Sequence, residues 1–324
     1  PPDPMAIKEL FYDNRPQVLL DPKASQRIDP RFKFTRNTIG TYVDKNGIIR
    51  TAAVDQPRFD YDPFSKDLNG LLIEPERTNF VRSSYGAGTF TGDNGFANNV
   101  TIALNDAIAP DLTTTAAKYT ITNTSPYYTV GFALSNVASG STVTISAYVK
   151  LPAVKTVELM IGNAGGSNGF ERSFVVGPGV AESSNIKPFP NDWYRLSATG
   201  TIGDISYFPR LYVNILSGAT NDFMHIWGMQ VETNPSATSI ITTSGSTVTR
   251  AADLLSIESP LPASGSVYID SRAVTASEND TLLSLKNSSN DKIDLAYLSN
   301  TNTYNSLALI ANYDGTSKTS LPLP

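Results

Sequence analysis

The sequence predicts an all-β protein built from antiparallel sandwiches, and three observations support this fold class. Residue types that favour strands and turns replace charged residues, which make up only 17% of the 324-residue chain, below the roughly one quarter that is usual. Many short segments alternate apolar and polar residues, which is the period of a half-buried strand. No segment shows the apolar repeat of a helix of normal length. We therefore expect an extended N-terminal arm, an antiparallel β-sandwich or jelly roll, and the start of a second sandwich.

Residues 1–36 are expected to form an extended arm that has no core of its own. Pro16, Pro22 and Pro30 each restrict the residue before them, which favours extended backbone. A floppy terminus is the alternative interpretation, but the segment is too apolar for a free tail. Its apolar side chains include Leu10, Phe11, Val18, Leu19, Leu20, Ile28 and Phe32. We expect this arm to dock onto another domain, another subunit or a larger assembly.

Residues 37–82 combine a hairpin signal with a dense group of charges. In "TYVDKNGIIRTA" the pair Asn46-Gly47 separates two β-rich runs and tolerates the positive φ angles of a tight turn. In "GLLIEPERTNF" an apolar strand, Gly70 to Ile73, runs directly into acids and an arginine. Buried charges need opposite charges or hydrogen-bond donors, so we expect a structural latch and not a catalytic pair. The predicted latch residues are Arg36, Arg58, Glu74, Glu76 and Arg77, with Arg250 as a further candidate partner.

Residues 83–250 are expected to form the main sandwich. Their first part, 83–95, is glycine-rich but lacks the lysine and following helix of a phosphate-binding loop, so it is interpreted as a linker or surface loop. About eight short segments then show strand alternation, among them "STVTISAYVKL" and "PRLYVNIL". This pattern is typical of an antiparallel sandwich or jelly roll.

Residues 251–324 are expected to begin a second sandwich. Four more strands are predicted in "GSVYIDSRAV", "TLLSLKN", "KIDLAYL" and "LALIANYDG", which is about half of a usual sandwich. Because an exposed edge invites aggregation, either this half-sheet pairs with another chain or the natural protein continues beyond Pro324. Of the two, we favour continuation.

Composition excludes several classes of function. The formal net charge is -5 and no basic run is present, so nucleic acid is not an expected ligand. The absence of cysteine removes disulfides, thiolate metal sites and cysteine nucleophiles. No apolar stretch reaches the roughly 18 residues of a membrane span, and the first residues lack the pattern of a secretory signal. Neither a membrane span nor a signal peptide is therefore predicted.

Catalysis is not expected in this chain. A glycoside hydrolase needs two carboxylates across a cleft, and Glu74 and Glu76 are too close together to flank a sugar bond. The single imidazole, His225, is placed by strand alternation on one face with Phe223, Trp227 and Met229. A histidine packed against a sheet is the simpler interpretation of this pattern than a catalytic base.

Sugar binding and calcium binding each have candidate residues. Sugars stack on aromatic rings while amide and carboxylate groups bind their hydroxyls, and aromatic residues beside prolines at strand ends suit this role. The sugar-binding candidates are Tyr127, Tyr128, Tyr207 and Phe208. Asp93 and Asn94 offer the oxygen ligands that calcium prefers, although turn chemistry explains the same residues without a metal. A structural calcium is the only cofactor considered.

Several motifs in fixed order resemble a segment that is common in bacteriophage virion proteins, especially tail-fibre, tailspike and related appendage proteins. They are Thr35-Arg36, Gly40-Thr41-Tyr42, Pro57-Arg58-Phe59-Asp60, Gly70 to Glu74, Arg77-Thr78-Asn79, Trp227-Gly228 with Gln230 and Glu232, and Thr249 to Asp253. The resemblance covers roughly residues 5–285. It departs from the family pattern at Pro75, which displaces the usual second acid to Glu76.

The resemblance implies a jelly roll like that of carbohydrate-binding modules, followed by a lectin-like sandwich. It further implies a virion protein, a tail-fibre or baseplate-associated subunit that docks on other virion proteins by its arm and contributes to binding a host-surface glycan. Homo-oligomers, as trimers, fit the same family. A head fibre, decoration or adaptor protein with a purely structural jelly roll, and the non-catalytic part of a polysaccharide depolymerase, are the alternatives.

Overall fold

The computed structural model describes residues 25–84, 95–125, 128–134, 137–162, 169–203 and 210–257, and four further strands between residues 280 and 322. All the regular elements within these ranges are strands, joined into antiparallel sheets. The predicted fold class, all-β with a sandwich or jelly roll, is therefore confirmed. Residues 1–24, most of the predicted arm, lie outside the described residues. Within the described ranges, no helix has the length and apolar character needed to cross a membrane.

The strands fall into three groups along the chain. The N-terminal group is β1 (Phe32–Thr35), β2 (Gly40–Val43), β3 (Ile49–Ala52), β4 (Phe59–Tyr61), β5 (Leu68–Leu71) and β6 (Arg77–Asn79). The sandwich strands are β7 (Gly95–Asn98), β8 (Val100–Ala107), β9 (Ala116–Ile121), β10 (Thr129–Ala133), β11 (Thr142–Lys150), β12 (Lys155–Gly162), β13 (Phe170–Val176), β14 (Ile186–Phe189), β15 (Trp193–Thr201), β16 (Arg210–Leu216) and β17 (Phe223–Glu232). The last group is β18 (Val248–Arg250), β19 (Leu254–Ile257), β20 (Asp280–Lys286), β21 (Lys292–Leu298), β22 (Ser306–Tyr313) and β23 (Thr316–Pro322).

Two sheets form the sandwich. One has five strands in the order β13-β12-β16-β10-β7, and the other has six in the order β14-β15-β11-β17-β9-β8. The chain crosses repeatedly between the two sheets, as in a jelly roll. Alternate residues of each strand point into the shared core, because successive side chains of a strand point to opposite faces. In β11 these core residues are Val143, Ile145, Ala147 and Val149, as the sequence predicts.

A second apolar core lies on the outer face of the six-stranded sheet. The side chains of Tyr148, Trp193 and Trp227 pack there against Val43 and Ile49. These last two belong to the β2–β3 hairpin, which follows the predicted Asn-Gly turn and pairs in antiparallel register. We call the β2–β3 and β4–β5 hairpins together, residues 40–71, the cover. The cover buries Tyr148 of β11, while the Thr144 hydroxyl of the same strand donates to the Asn234 carbonyl in the chain that follows β17.

A bulge in β17 makes this second core possible. The register between β11 and β17 shifts between Ser146 and Tyr148, and Gly228 has a φ of 62°. A Cβ atom at Gly228 would lie 2.7 Å from Cδ2 of Tyr148, so glycine is needed for both backbone and space. Because of the bulge, Trp227 faces the cover while Met229 lies in the main core. The expectation that Met229 shares a face with Trp227 is therefore wrong.

The opening strand of the charged segment is shorter and less buried than expected. The sequence predicts a strand from Gly70 to Ile73, whereas β5 ends at Leu71 and pairs with β4. The Ile73 side chain is 47% exposed. The chain here leaves the hairpin in order to reach the buried charges that follow, so its apolar residues do not continue into a core.

The chain segments on either side of the sandwich meet in two small sheets of two strands each. β1 pairs with β19 in antiparallel register, with Phe32 opposite Ile257. β6 likewise pairs with β18, with Arg77 opposite Arg250. The end of the predicted arm, residues 1–36, is thus paired with the beginning of the predicted second sandwich, residues 251–324.

The C-terminal strands form a separate four-stranded antiparallel sheet, β20-β21-β22-β23. Three of the four strands predicted in this part coincide with β20, β21 and β22, and β23 is an additional strand. The remaining predicted segment, "GSVYIDSRAV", lies outside the described residues.

Candidate functional site

A cluster of buried charges joins the cover to the chain that follows the sandwich. We call it the arginine cluster, and its members are Arg36, Arg58, Glu74, Arg250 and Asp253. All of them are buried, and the three arginines are at most 2% exposed. They come from sequence positions up to 217 residues apart, so their association depends on the complete fold.

Glu74 lies between two arginines. Its Oε2 atom is 2.8 Å from Nη1 of Arg58 and 3.0 Å from Nη1 of Arg250. Its Oε1 atom accepts a hydrogen bond of 2.7 Å from the backbone N–H of Ser239, and Oε2 accepts one of 2.6 Å from the Ser239 hydroxyl. Both carboxylate oxygens are therefore satisfied, as a buried charge requires.

Asp253 bridges the other pair of arginines. Its Oδ1 atom accepts a 3.0 Å hydrogen bond from Nη1 of Arg36, and its Oδ2 atom accepts one from Nη2 of Arg58. The backbone N–H of Glu74 donates to Oδ2 at 2.8 Å, and the backbone N–H of Asp253 donates to the Glu74 carbonyl at 2.8 Å. Two carboxylates and three guanidinium groups thus form one connected network.

Further donors of Arg36 and Arg250 bind backbone carbonyls. Arg36 donates to the carbonyls of Thr38 and Ala53 at 2.9 and 2.7 Å. Arg250 donates to the carbonyl of Pro75 at 2.8 Å. Arginine suits this role because its planar group presents five donors in a fixed geometry. The network thereby positions the loops of the cover as well as balancing charge.

The electrostatics of the cluster keep Glu74 ionised. Burial raises the pKa of the Glu74 carboxyl, but the charges of Arg250 and Arg58 and the hydrogen bonds from Ser239 outweigh it, and the pKa falls to about 2. Burial lowers the pKa of the Arg250 guanidinium, which Glu74 partly opposes. A carboxylate held ionised by two arginines is poorly suited to general acid or base catalysis near neutral pH.

The structure brings together three of the five predicted latch residues. Arg36, Arg58 and Glu74 belong to the arginine cluster, together with the candidate partner Arg250. Glu76 is exposed, and Arg77 donates to the Glu76 carbonyl at 2.7 Å outside the cluster. The sequence does not identify Asp253 as a latch residue, although the Thr-Arg-Ala-Ala-Asp motif contains it.

The outer face of the five-stranded sheet, which we call the open face, carries a polar row. Neighbouring strands place Ser173 beside Glu158, Glu158 beside Asn214, and Thr129 beside Asn98. The Thr129 hydroxyl donates to Oδ1 of Asn214 at 2.8 Å, and Nδ2 of Asn214 donates to Oε1 of Glu158 at 3.3 Å. These hydrogen bonds fix the side chains of the row at the surface.

Two further rows flank the polar row. On one side Val175, Thr156 and Leu216 are adjacent, and the Val175 side chain is 58% exposed. On the other side Met160 lies beside Tyr212, whose side chain is only 6% exposed. The open face therefore combines fixed hydrogen-bonding groups with a limited apolar surface.

Glu158 is the titratable group at the centre of the open face. Partial burial raises the pKa of its carboxyl, the hydrogen bond from Asn214 lowers it, and the charge of Glu171 raises it further. The net direction is upward. Only one of its two oxygens accepts from Asn214, so the carboxyl group retains capacity to accept hydrogen bonds from a ligand.

Of the sugar-binding candidates, only Tyr128 lies within the described residues. Its hydroxyl donates to the Ile215 carbonyl at 2.7 Å and accepts from the Gly218 N–H at 2.5 Å. The ring packs against the main core, so this tyrosine holds the start of β10 in place. Tyr127, Tyr207 and Phe208 lie outside the described residues, just before β10 and β16 of the five-stranded sheet.

The metal-site and catalytic expectations concern other parts of the molecule. Asp93 and Asn94 lie outside the described residues. Within the described ranges, no group of three or more histidine, aspartate or glutamate side chains is placed to hold a metal ion. The ring nitrogen Nε2 of His225 is 2.9 Å from Oδ2 of Asp106, and the His225 ring meets that of Phe223 edge-on.

Comparisons with known proteins give partial likenesses in structure. No protein-family model matches the sequence, and no curated protein sequence matches it. The enzymatically active domain of tailspike protein 4 from bacteriophage CBA120 is similar over 47% of this chain and 21% of its own, with 11% identity and a TM-score of 0.32. The CBM22-1–GH10 modules of the Clostridium thermocellum xylanase 10B match 52% of this chain and 30% of their own, with 10% identity and a TM-score of 0.32.

A smaller solved structure is matched over nearly its full length. A xylan-binding domain from CBM 22 is covered to 97% by 49% of this chain, with 12% identity and a TM-score of 0.32. By contrast, the matched part of this chain spans less than a third of the tailspike and xylanase structures. Each likeness covers about half of this chain.

Proposed function

We propose that this chain is a non-catalytic subunit of a bacteriophage appendage, a tail-fibre or baseplate-associated protein that contributes to host-surface glycan binding. The ordered motifs that resemble phage appendage proteins support the virion role. Several of them, Thr35-Arg36, Pro57-Arg58, Gly70 to Glu74 and Thr249 to Asp253, supply the arginine cluster. Motifs of the resemblance thus supply the buried network that joins distant segments of the chain.

The single observation that supports glycan binding is the polar row of the open face. Amide, hydroxyl and carboxylate groups of five adjacent strands share this face, and hydrogen bonds between them hold Thr129, Asn214 and Glu158 in place. Sugar hydroxyls are recognised by such fixed donors and acceptors, and the ordering cost is already met before a ligand binds. The cover does not reach this face, because it packs on the other sheet.

Binding of the full chain to an array of bacterial surface polysaccharides tests the glycan role. We expect specific binding to uncharged sugars, weakened about tenfold by Asn214→Ala, because this substitution removes an amide that both donates and accepts. Thr101→Ala, at an exposed position on the six-stranded sheet, is the matched control and should bind as the parent does. No binding from folded protein, or equal loss in both variants, would favour the purely structural alternative.

Docking through residues 1–36 and assembly into trimers are further parts of the proposal. Cross-linking mass spectrometry on whole virions tests the docking, with Lys8 and Lys23 as reactive positions in this segment. Links from this segment to another virion protein are expected, and links only within the chain would contradict docking. Native mass spectrometry of the purified chain tests the trimer.

A further inference from the structure

A row of basic side chains crosses the outer face of the six-stranded sheet. Lys150 pairs with His225, and His225 pairs with Lys118, on the adjacent strands β11, β17 and β9. We call these three residues the lysine row. Lys150 follows Tyr148 by two residues in β11, and His225 precedes Trp227 by two residues in β17. Those two aromatic side chains are buried beneath the cover. The row itself is only partly buried, so it lies at the margin of the cover.

Within the described residues, the two lysines lack the carboxylate partner that some other surface cations have. Lys155 is 2.8 Å from Asp222, Lys187 is 2.7 Å from Glu182, and Arg50 is 2.9 Å from Asp44. Within the described residues, neither Lys118 nor Lys150 lies within ion-pair distance of a carboxylate. Each of the two lysines lies opposite His225 on the neighbouring strand, so two cationic side chains stand close together on this face.

The neighbours of the row leave its ammonium groups able to bind. Nζ of Lys118 is 4.2 Å from the centre of the Phe223 ring, a cation–π contact that positions the group without using its N–H donors. Asp106 is engaged by His225, at 2.9 Å from Nε2. The acid beside the row therefore contacts the histidine at its centre and not the two flanking lysines.

We propose that the lysine row binds an acidic polysaccharide, one that carries carboxylate groups on successive sugars. Adjacent strands lie about 4.8 Å apart, so the two lysines are separated by about two strand spacings. A sugar residue in an extended chain advances by a distance comparable to one strand spacing. A chain laid across the strands therefore brings alternate carboxylates near Lys118 and Lys150. The Phe223 ring beside the row adds an apolar surface for a sugar face.

This site is distinct from the open face. The open face belongs to the opposite sheet and carries Glu158 and Glu171, whose charges disfavour an acidic ligand. The two proposed sites thus differ in the charge of their central side chains, and we expect them to select different sugars. Failure of one site leaves the other unaffected, so the two proposals are tested separately.

Titration calorimetry of the full chain with oligogalacturonate tests the proposal, and the methyl ester of the same oligosaccharide serves as the uncharged probe. We expect binding of the acid form that weakens with added salt, because exposed charges are screened, and little binding of the ester. Lys118→Gln and Lys150→Gln should each weaken binding about threefold and together about tenfold.

Control variants test whether binding depends on these two lysines and not on surface charge in general. Lys155→Gln removes a lysine that is paired with Asp222 and should leave binding unchanged, and Asn214→Ala on the open face should do likewise. Unchanged circular dichroism and thermal unfolding confirm that each variant is folded. The proposal is overturned if the double variant binds as the parent does. It is also overturned if poly-glutamate binds as tightly as the oligosaccharide, or if the folded parent binds neither form.

Discussion

The two outer faces of the sandwich differ in what lies on them, although both sheets share one core. On the six-stranded sheet, the cover buries Tyr148, Trp193 and Trp227 and is fixed at its margin by the arginine cluster. On the five-stranded sheet, Ser173 is exposed and Glu158 and Asn214 are half-buried. The buried charges of the arginine cluster thus hold other segments of the chain in place. The hydrogen-bonded polar row, by contrast, lies on the five-stranded sheet.

This difference separates residues that hold the fold from residues that are free to bind. A buried ion network gives little net stability compared with apolar packing, but it is very sensitive to loss of one partner. An accessible polar row contributes little to stability, whether its side chains are intact or substituted. Substitutions in the arginine cluster or in the core beneath the cover should therefore destabilise the protein strongly, while those in the polar row should mainly change binding.

The largest effect is expected for Arg58→Met, which removes the arginine shared by Glu74 and Asp253. Two buried carboxylates lose a partner, so the free energy of unfolding should fall by about 3–5 kcal/mol. Chemical denaturation followed by fluorescence measures this change. Arg50→Met is the matched control, because the Arg50 side chain is 44% exposed in its pair with Asp44, and its cost should stay below about 1 kcal/mol. Equal costs for the two variants would contradict the distinction.

Acid should release the same cluster. The pKa of Glu74 is about 2 in the folded protein, against an ordinary value of 4.5, so this group stabilises the fold above pH 4.5. That contribution, about 3 kcal/mol, is lost as the pH falls from 4.5 towards 2. Unfolding free energies of the parent and of Glu74→Gln, measured through this window, should converge as the pH falls. A constant difference between them would show that Glu74 is not the titrating group.

A substitution at the bulge tests how closely the cover fits the sheet. Gly228→Ala forces an alanine into a left-handed conformation and directs its Cβ atom at the Tyr148 ring, so we expect a loss of about 2 kcal/mol. Gly179→Ala is the control, because Gly179 has a φ of 82° and a Cβ atom there would meet no neighbouring atom within 4 Å. It should cost about 1 kcal/mol. Thermal unfolding of both variants isolates the packing contribution.

The smallest effect on stability is expected on the open face. Asn214→Ala removes three hydrogen bonds at a half-buried position, two of them longer than 3.2 Å, and its cost should be about 1 kcal/mol. The same variant should lose most of its glycan binding, which an array or calorimetry measures. A large loss of stability with unchanged binding would reverse the roles that we assign to the two faces.

The sequence predicts the strands well because alternation is a local property. The Asn46-Gly47 turn lies between β2 and β3, and the alternation in β11 and β16 correctly separates their core residues from the opposite face. Tyr212 and Asn214 are already on that opposite face in the sequence. What local patterns do not show is that the β2–β3 hairpin packs on the outer face of the six-stranded sheet, because this hairpin comes from a distant part of the chain.

The sequence predicts that a cluster of buried charges exists, but it does not identify all of the residues that form it. A run of acids after an apolar strand indicates a need for buried partners, and this identifies Arg36, Arg58 and Arg250 as candidates. Glu76 and Arg77 enter the prediction because they are adjacent in sequence, yet the chain turns so that only Glu74 points inward. Asp253 escapes prediction because the local pattern around it does not distinguish a buried acid from an exposed one, and its partners lie 195 and 217 residues away.

The pairing of β1 with β19 determines how mechanical load passes through the molecule. Phe32 lies opposite Ile257, so the chain segments before and after this ribbon leave it at the same end. Tension applied between them bypasses the sandwich and opens the ribbon one hydrogen bond at a time, which needs little force at each step. The next obstacle is the link between Arg36 and Asp253. The sandwich therefore does not carry this tension, and it can remain folded while the two strands of the ribbon separate.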